Sequence, residues 1–292
     1  MIRKSQLFLA IAALAGMNAA MAACNTTQWG QGSPPGGAAI GAPVAGDPNT
    51  GDADGVVKRY SGVCGLAANA SAKYVQDGSP STEASFISRF YVHTGLTTGT
   101  ATVFTAMADE AADYSIFSVV FSGAALEFKD RAGTTRISIP ASANRWYAVE
   151  SSWTRSNSTL AVKVKGANAA TESTGTDANF SVVDPGDGVD YVQFGWVSGA
   201  GTGEVTVDAY ESRRSTAIGR LCRGDANGDT IYGVQDRIAM TNEILRLTNG
   251  DLTRALPTGQ PDCDENGSVT VTDRICVTNF ITAIPAKTCA DT

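Results

Sequence analysis

The chain repeats itself near its C-terminal end, and that repeat constrains its fold more than any other feature. Setting DANGDTIYGVQDRIAMTNEI (225–244) on DCDENGSVTVTDRICVTNFI (262–281), an offset of 37 residues, makes eight of the twenty positions identical. Self-similarity at such a period marks one small unit used twice, neither copy able to bury its apolar face alone. The shared Asp-Arg-Ile and Thr-Asn follow an Asp/Asn/Gly-rich stretch each time. The repeated unit therefore reads as a loop and the helix that leaves it.

Calcium takes about six to eight oxygen ligands, and a twelve-residue loop supplies them from positions 1, 3, 5, 7 and 12, with position 9 often acting through water. The first loop offers Asp225, Asn227, Asp229, the carbonyl of Ile231, and Asp236; the second offers Asp262, Asp264, Asn266, the carbonyl of Ser268, and Asp273. One such cluster is also what an ordinary solvated turn contains. Two in the same register favour metal, and predict two Ca2+ ions. Position 8, Tyr232 or Val269, is apolar and suited to pack beneath the loop. Position 6 turns sharply and holds Gly267 in the second loop but Thr230 in the first, so the first site is expected to be strained and weaker.

The Asp at position 12, the helix leaving each loop and the absence of one leading in make residues 222–289 resemble a dockerin type I module. That resemblance implies two bound calcium ions and a cohesin-like protein partner. Family contact positions 10 and 11 hold Val234 and Gln235, then Val271 and Thr272, in place of the family's Ser-Thr-like pair. A cohesin-independent role, as a calcium-locked C-terminal staple, therefore stands beside the cohesin one. The ends of a dockerin lie together, which implies Cys222–Cys289 and leaves Cys263–Cys276 by default.

At the other end, Arg3 and Lys4, the apolar run Leu7 to Leu14 and the small-residue Ala20-Met21-Ala22 read as a secretory signal peptide over residues 1–22. Cys24, just beyond it, is expected to pair with Cys64 in a disulfide; a lipid anchor on Cys24 is the competing reading. An even count of six cysteines in an exported chain favours disulfides over metal thiolates. The formal charge of −7 becomes −9 without Arg3 and Lys4, which disfavours nucleic acid. No later segment approaches a membrane span. Residues 23–55 are a Gly/Pro-rich arm with hardly an aromatic residue.

Residues 56–215 change to short β-branched and aromatic runs between Gly, Asp, Asn and Pro turns. Nine strands are predicted: 84–93, 103–108, 114–122, 126–129, 136–139, 146–154, 159–165, 191–198 and 204–211. In the seventh, Leu160, Val162 and Val164 share one face, Lys163 and Lys165 the other. Nine strands without a helix make a β-sandwich, and the fold class is mainly β with a small helical calcium-loop module over 216–292. LEFKDRAG (126–133), WYAVESSW (146–153) with TLAVKVKG after it, and VDYVQFGWVSG (189–199) followed by EVTVDAYESRR resemble the concanavalin A-like lectin/glucanase group in its LamG-like form. The resemblance implies a jelly roll that binds carbohydrate or another extracellular ligand.

Catalytic constellations are sparse. His93 is the single histidine and sits in a predicted strand, which excludes histidine-ligated zinc and reads as a sheet-surface residue rather than a triad base. Asp109, Glu110 and Asp113 look like a solvated loop, and Glu150 is a lone mid-strand carboxylate where a glycosidase needs two. Trp29, Trp146, Trp153 and Trp196 could stack on sugars, although most large aromatics of a sandwich are core. Asp187 and Asp190 lie in a turn that could hold a lectin-type calcium. The functional expectation is a secreted calcium-binding protein with a lectin-like sandwich and no assigned catalytic residue. Its alternatives are a jelly-roll glycoside hydrolase or lyase acting on polysaccharide, and a structural or adhesive surface protein.

Overall fold

The computed structural model describes residues 60–61, 65–108, 114–167, 169–180, 186–249, 257–266 and 268–289. The expected signal peptide, the Gly/Pro-rich arm, Trp29, the expected Cys24–Cys64 pairing, the acidic cluster at 109–113 and Gly267 lie outside the described residues. The strands are β1 (Leu66–Ala68), β2 (Lys73–Asp77), β3 (Ser85–Gly99), β4 (Ala101–Ala108), β5 (Tyr114–Phe121), β6 (Ala125–Asp130), β7 (Thr135–Pro140), β8 (Trp146–Thr154), β9 (Thr159–Gly166), β10 (Ser173–Asp177), β11 (Tyr191–Ser198) and β12 (Gly201–Arg213). They form two six-stranded sheets, ordered β1-β12-β3-β8-β9-β10 and β2-β11-β4-β5-β6-β7.

Alternation decides which face each strand buries. In β9, Leu160, Val162 and Val164 are sealed in the core while Lys163 faces solvent, as the sequence pattern predicts. Phe90 of β3 stacks on Phe104 of β4 with ring centroids 5.0 Å apart, and Phe194 of β11 meets Phe90 edge-on at 5.4 Å, so the two sheets interlock through aromatic rings. Trp153 and Trp196 are buried in this core. Neither indole presents a stacking face to a sugar.

Nine predicted strands become twelve. The three additions, β1, β2 and β10, all lie at sheet edges. An edge strand has one neighbour and need not be apolar; β10 reads STGTD and has no fully buried residue.

After β12 the chain crosses the outer face of the first sheet and enters the repeat. Helices α1 (Val234–Asn249) and α2 (Val271–Thr282) leave the two loops. Thr270 and Asp273 close the start of α2 with a reciprocal capping box. Disulfides join Cys222 to Cys289 and Cys263 to Cys276. The module's core is small: Ala226, Met240, Cys263 and Val277, flanked by Tyr232 and Phe280, whose rings lie 5.1 Å apart. Among the described residues no helix is long and apolar enough to cross a membrane.

Candidate metal centres

Five backbone-to-side-chain hydrogen bonds recur at the 37-residue offset. The amide at position 5 donates to the position 1 side chain, Asp229 to Asp225 at 3.1 Å and Asn266 to Asp262 at 3.1 Å. It also donates to position 3, Asp229 to Asn227 and Asn266 to Asp264, both at 3.2 Å. Position 7 donates to position 5, Ile231 to Asp229 at 2.8 Å and Ser268 to Asn266 at 2.9 Å. Position 12 accepts twice. Asp236 takes the amides of Asn227 at 3.3 Å and Gly233 at 2.7 Å, and Asp273 takes those of Asp264 at 3.1 Å and Thr270 at 2.8 Å. The sequence repeat is thus a repeat of loop geometry.

In the second loop, carboxylate oxygens of Asp262, Asp264 and Asp273 all lie within 4.8 Å of one another. Oxygens on opposite sides of a Ca2+ ion, each about 2.4 Å from it, are separated by about that distance. The donor set is hard oxygen throughout, as calcium requires. Burial, countered by the two amides each accepts and reinforced by neighbouring acidic charge, raises the Asp236 and Asp273 carboxyls above the usual carboxylate range. Thr230 holds φ at +68°, the left-handed conformation expected of position 6 and unfavourable for a β-branched residue. Asp225 also neighbours Cys222 and Cys289, but those sulfurs are bonded to each other, which leaves them no thiolate to offer a metal.

The loops do not hang free. The outer face of the first sheet carries two parallel cross-strand rows. One runs Glu211–Arg89–Glu150–Lys163 and the other Asp208–Tyr91–Ala148–Lys165, each residue the ladder partner of the next. The first row holds the returning chain. Glu150 accepts the amides of Ile218 at 2.9 Å and Gly219 at 2.6 Å, and Arg89 donates to the Gly219 carbonyl at 3.2 Å. Glu150, the mid-strand carboxylate noted from sequence, is therefore an anchor for this segment.

The second row holds Tyr60. Its amide donates to Asp208 at 2.6 Å, its ring stacks on Tyr91 with centroids 3.7 Å apart, and its hydroxyl donates to Glu265 at 3.1 Å. Glu265 belongs to the second loop and lies 3.9 Å from the Lys165 ammonium. Tyr91 in turn accepts the Leu221 amide at 2.7 Å. Sequence reasoning missed Tyr60, Tyr91 and Glu265, since nothing local to any of them points to the others.

The remaining candidates fall elsewhere. His93 lies edge-on to Trp146 at 5.4 Å, and Trp146 packs against Tyr60 at 5.5 Å. Asp190 accepts the amide and hydroxyl of Thr82 at 2.6 and 3.0 Å, and Asp187 accepts the Tyr114 hydroxyl, so both brace the turn.

The arrangement is a two-sheet β-sandwich bearing a disulfide-bonded helix pair with two acidic loops. Similar solved structures include a sialidase from Trypanosoma rangeli in complex with 2,3-difluorosialic acid, at 16% identity and a TM-score of 0.39, with 52% of this chain and 26% of that one covered. Others are the catalytic domain of a glycoside hydrolase family 131 protein from Coprinopsis cinerea (14%, TM-score 0.34, 53% and 73% covered) and a GH131 beta-glucanase catalytic domain from Podospora anserina (10%, TM-score 0.35, 53% and 72%). This chain spans about a quarter, 26%, of the sialidase's length. No protein-family model and no curated protein matches the chain.

Proposed function

We propose that this is an exported calcium-binding protein, with one Ca2+ ion in each loop of the C-terminal module and a β-sandwich that takes a carbohydrate ligand. The observation that carries the calcium reading is the convergence of the Asp262, Asp264 and Asp273 carboxylates, inside a loop whose hydrogen bonds the first loop reproduces. Without a cation these charges repel one another. A bound cation reverses that repulsion and supplies folding free energy to a module with a small core. Asp225, Asn227, Asp229, Asp236 and the Ile231 carbonyl would hold the first ion; Asp262, Asp264, Asn266, Asp273 and the Ser268 carbonyl the second. Two disulfides support an oxidising, extracellular compartment. Titration calorimetry of calcium into the chelator-stripped full chain tests this: two ions bound, with magnesium a poor substitute, is the expected result, and none bound at millimolar calcium overturns it.

The carbohydrate part rests on the resemblance of the strand sequences to lectin-like sandwiches, and a cohesin-like partner on the dockerin resemblance alone. Val234 and Val271, at the family's contact positions, are 62% and 55% exposed. Glycan-array binding separates a lectin from a purely structural protein. Reducing-end release from a polysaccharide panel would make it a hydrolase instead.

A further inference from the structure

Position 4 of the calcium loop differs between the repeats in a way the loop itself does not explain. Both residues there adopt the left-handed conformation, Gly228 with φ at +74° and Glu265 with φ at +56°. Glycine takes that conformation freely, whereas a side chain resists it. The second repeat nevertheless keeps a glutamate, and buries it to 6% exposure. Its carboxylate oxygens engage Tyr60 and Lys165, one each, rather than the loop interior. Strain retained at a residue whose side-chain hydrogen bond and ion pair both lie outside its own loop points to a task between the modules.

We infer that Glu265 is a calcium-set latch: loading of the second loop fixes the backbone between Asp264 and Asn266, and so drives Glu265 into the Tyr60–Lys165 site on the sandwich. The inference rests on the proposal that this loop binds calcium. The ligand-bearing neighbours on either side leave Glu265 little freedom once the ion is seated. With the ion removed, the segment relaxes and the buried carboxylate leaves for water. Tyr60 then loses its hydroxyl acceptor, and the stack on Tyr91, with the Leu221 amide that Tyr91 receives, loosens with it. Calcium thereby governs how the C-terminal module sits on the outer face of the first sheet, beyond governing its own loop.

The test is hydrogen exchange at the Tyr60, Ser61 and Leu221 amides of the full chain, with calcium stoichiometry measured on the same samples. Calcium-loaded wild type should exchange slowly there, and EGTA should speed exchange about tenfold or more, as loss of a buried charge-assisted hydrogen bond implies. Glu265→Ala should exchange at the fast rate even with two ions bound, and Glu265→Gln, which keeps an acceptor for Tyr60, should fall between. Tyr60→Phe, which removes the donor and keeps the ring, should reproduce the fast rate and covers the case of a Glu265→Ala chain that fails to fold. Two ions bound with wild-type exchange in these variants, or calcium stripped from wild type with exchange unchanged, would overturn the latch alone. No calcium bound by wild type overturns both the latch and the calcium reading.

Discussion

Asp273 does in the second repeat what Asp236 does in the first: each carboxylate closes its loop by accepting two backbone amides, from positions 3 and 9. Each is fully buried. Replacing either by Ala should remove one of two calcium ions in calorimetry. It should also destabilise the module by about 1–3 kcal/mol in the absence of calcium, because the amides it satisfied are left without partners. An Ala variant with both ions still bound would show that position 12 is not a ligand.

Thr230 separates the two sites. A residue with a Cβ in the left-handed region costs about 1–2 kcal/mol, and Thr230 has φ +68°. Thr230→Gly should tighten the first site by about tenfold, the factor that 1.4 kcal/mol represents, and leave the second unchanged. Equal affinity before and after would mean that the calcium-free loop carries the same strain as the loaded one.

Disulfide removal should be graded by loop length. Chain-entropy arguments give roughly 4 kcal/mol for Cys222–Cys289, which spans 67 residues, and roughly 3 kcal/mol for Cys263–Cys276, which spans 13. Paired Cys→Ser variants compared in urea should follow that order. The reverse order would indicate that packing of Cys263, which is fully buried, outweighs the loop effect.

Burial pushes the Tyr91 hydroxyl from 10.0 up to about 12. Its raised value in the folded state means that stability is complete below pH 10 and is lost as pH climbs from 10 to 12, where the unfolded chain ionises first. The loss is on the order of 3 kcal/mol. Tyr91→Phe should flatten this alkaline slope while lowering stability at neutral pH, since the Leu221 amide loses its acceptor. Urea midpoints measured across that range decide it.

Glu243 and Arg246 form an ion pair at 2.9 Å in α1, with side chains 0% and 1% exposed. Glu243→Gln should cost about 3–5 kcal/mol by removing the carboxylate charge that faces a buried guanidinium, and Glu243→Leu combined with Arg246→Met should cost far less. Thermal unfolding of the three variants provides the comparison. Equal losses in single and double variants would place the energy in packing.

What the sequence made legible was periodic. β9 was readable because Leu160, Val162 and Val164 alternate with lysines, and the loops because their Asp and Asn residues recur in register. β10 was not, since STGTD buries little and Gly175 owes its place to a neighbour: an added Cβ would meet Ile137 Cγ2 at 2.5 Å. Nothing local marks Glu243 and Arg246, three residues apart in the sequence, as a buried pair, because burial is a property of the assembled fold. Glu265 and Tyr60 are 205 residues apart, and no local pattern connects a loop glutamate to a tyrosine at that distance.

The Cys222–Cys289 bond has a topological consequence. It closes residues 222 to 289 into a covalent ring, which joins the sandwich through one strand of chain, 214–221. A protease that nicks the ring anywhere along its length releases nothing, because both cut ends remain on the same molecule. A single cut between Arg214 and Leu221 breaks the whole covalent link at once, leaving the ring held only by contacts such as Glu265 with Tyr60 and Lys165. The covalent link between sandwich and ring therefore has one point of severance, and that point is the segment that Glu150, Arg89 and Tyr91 hold flat against the sheet.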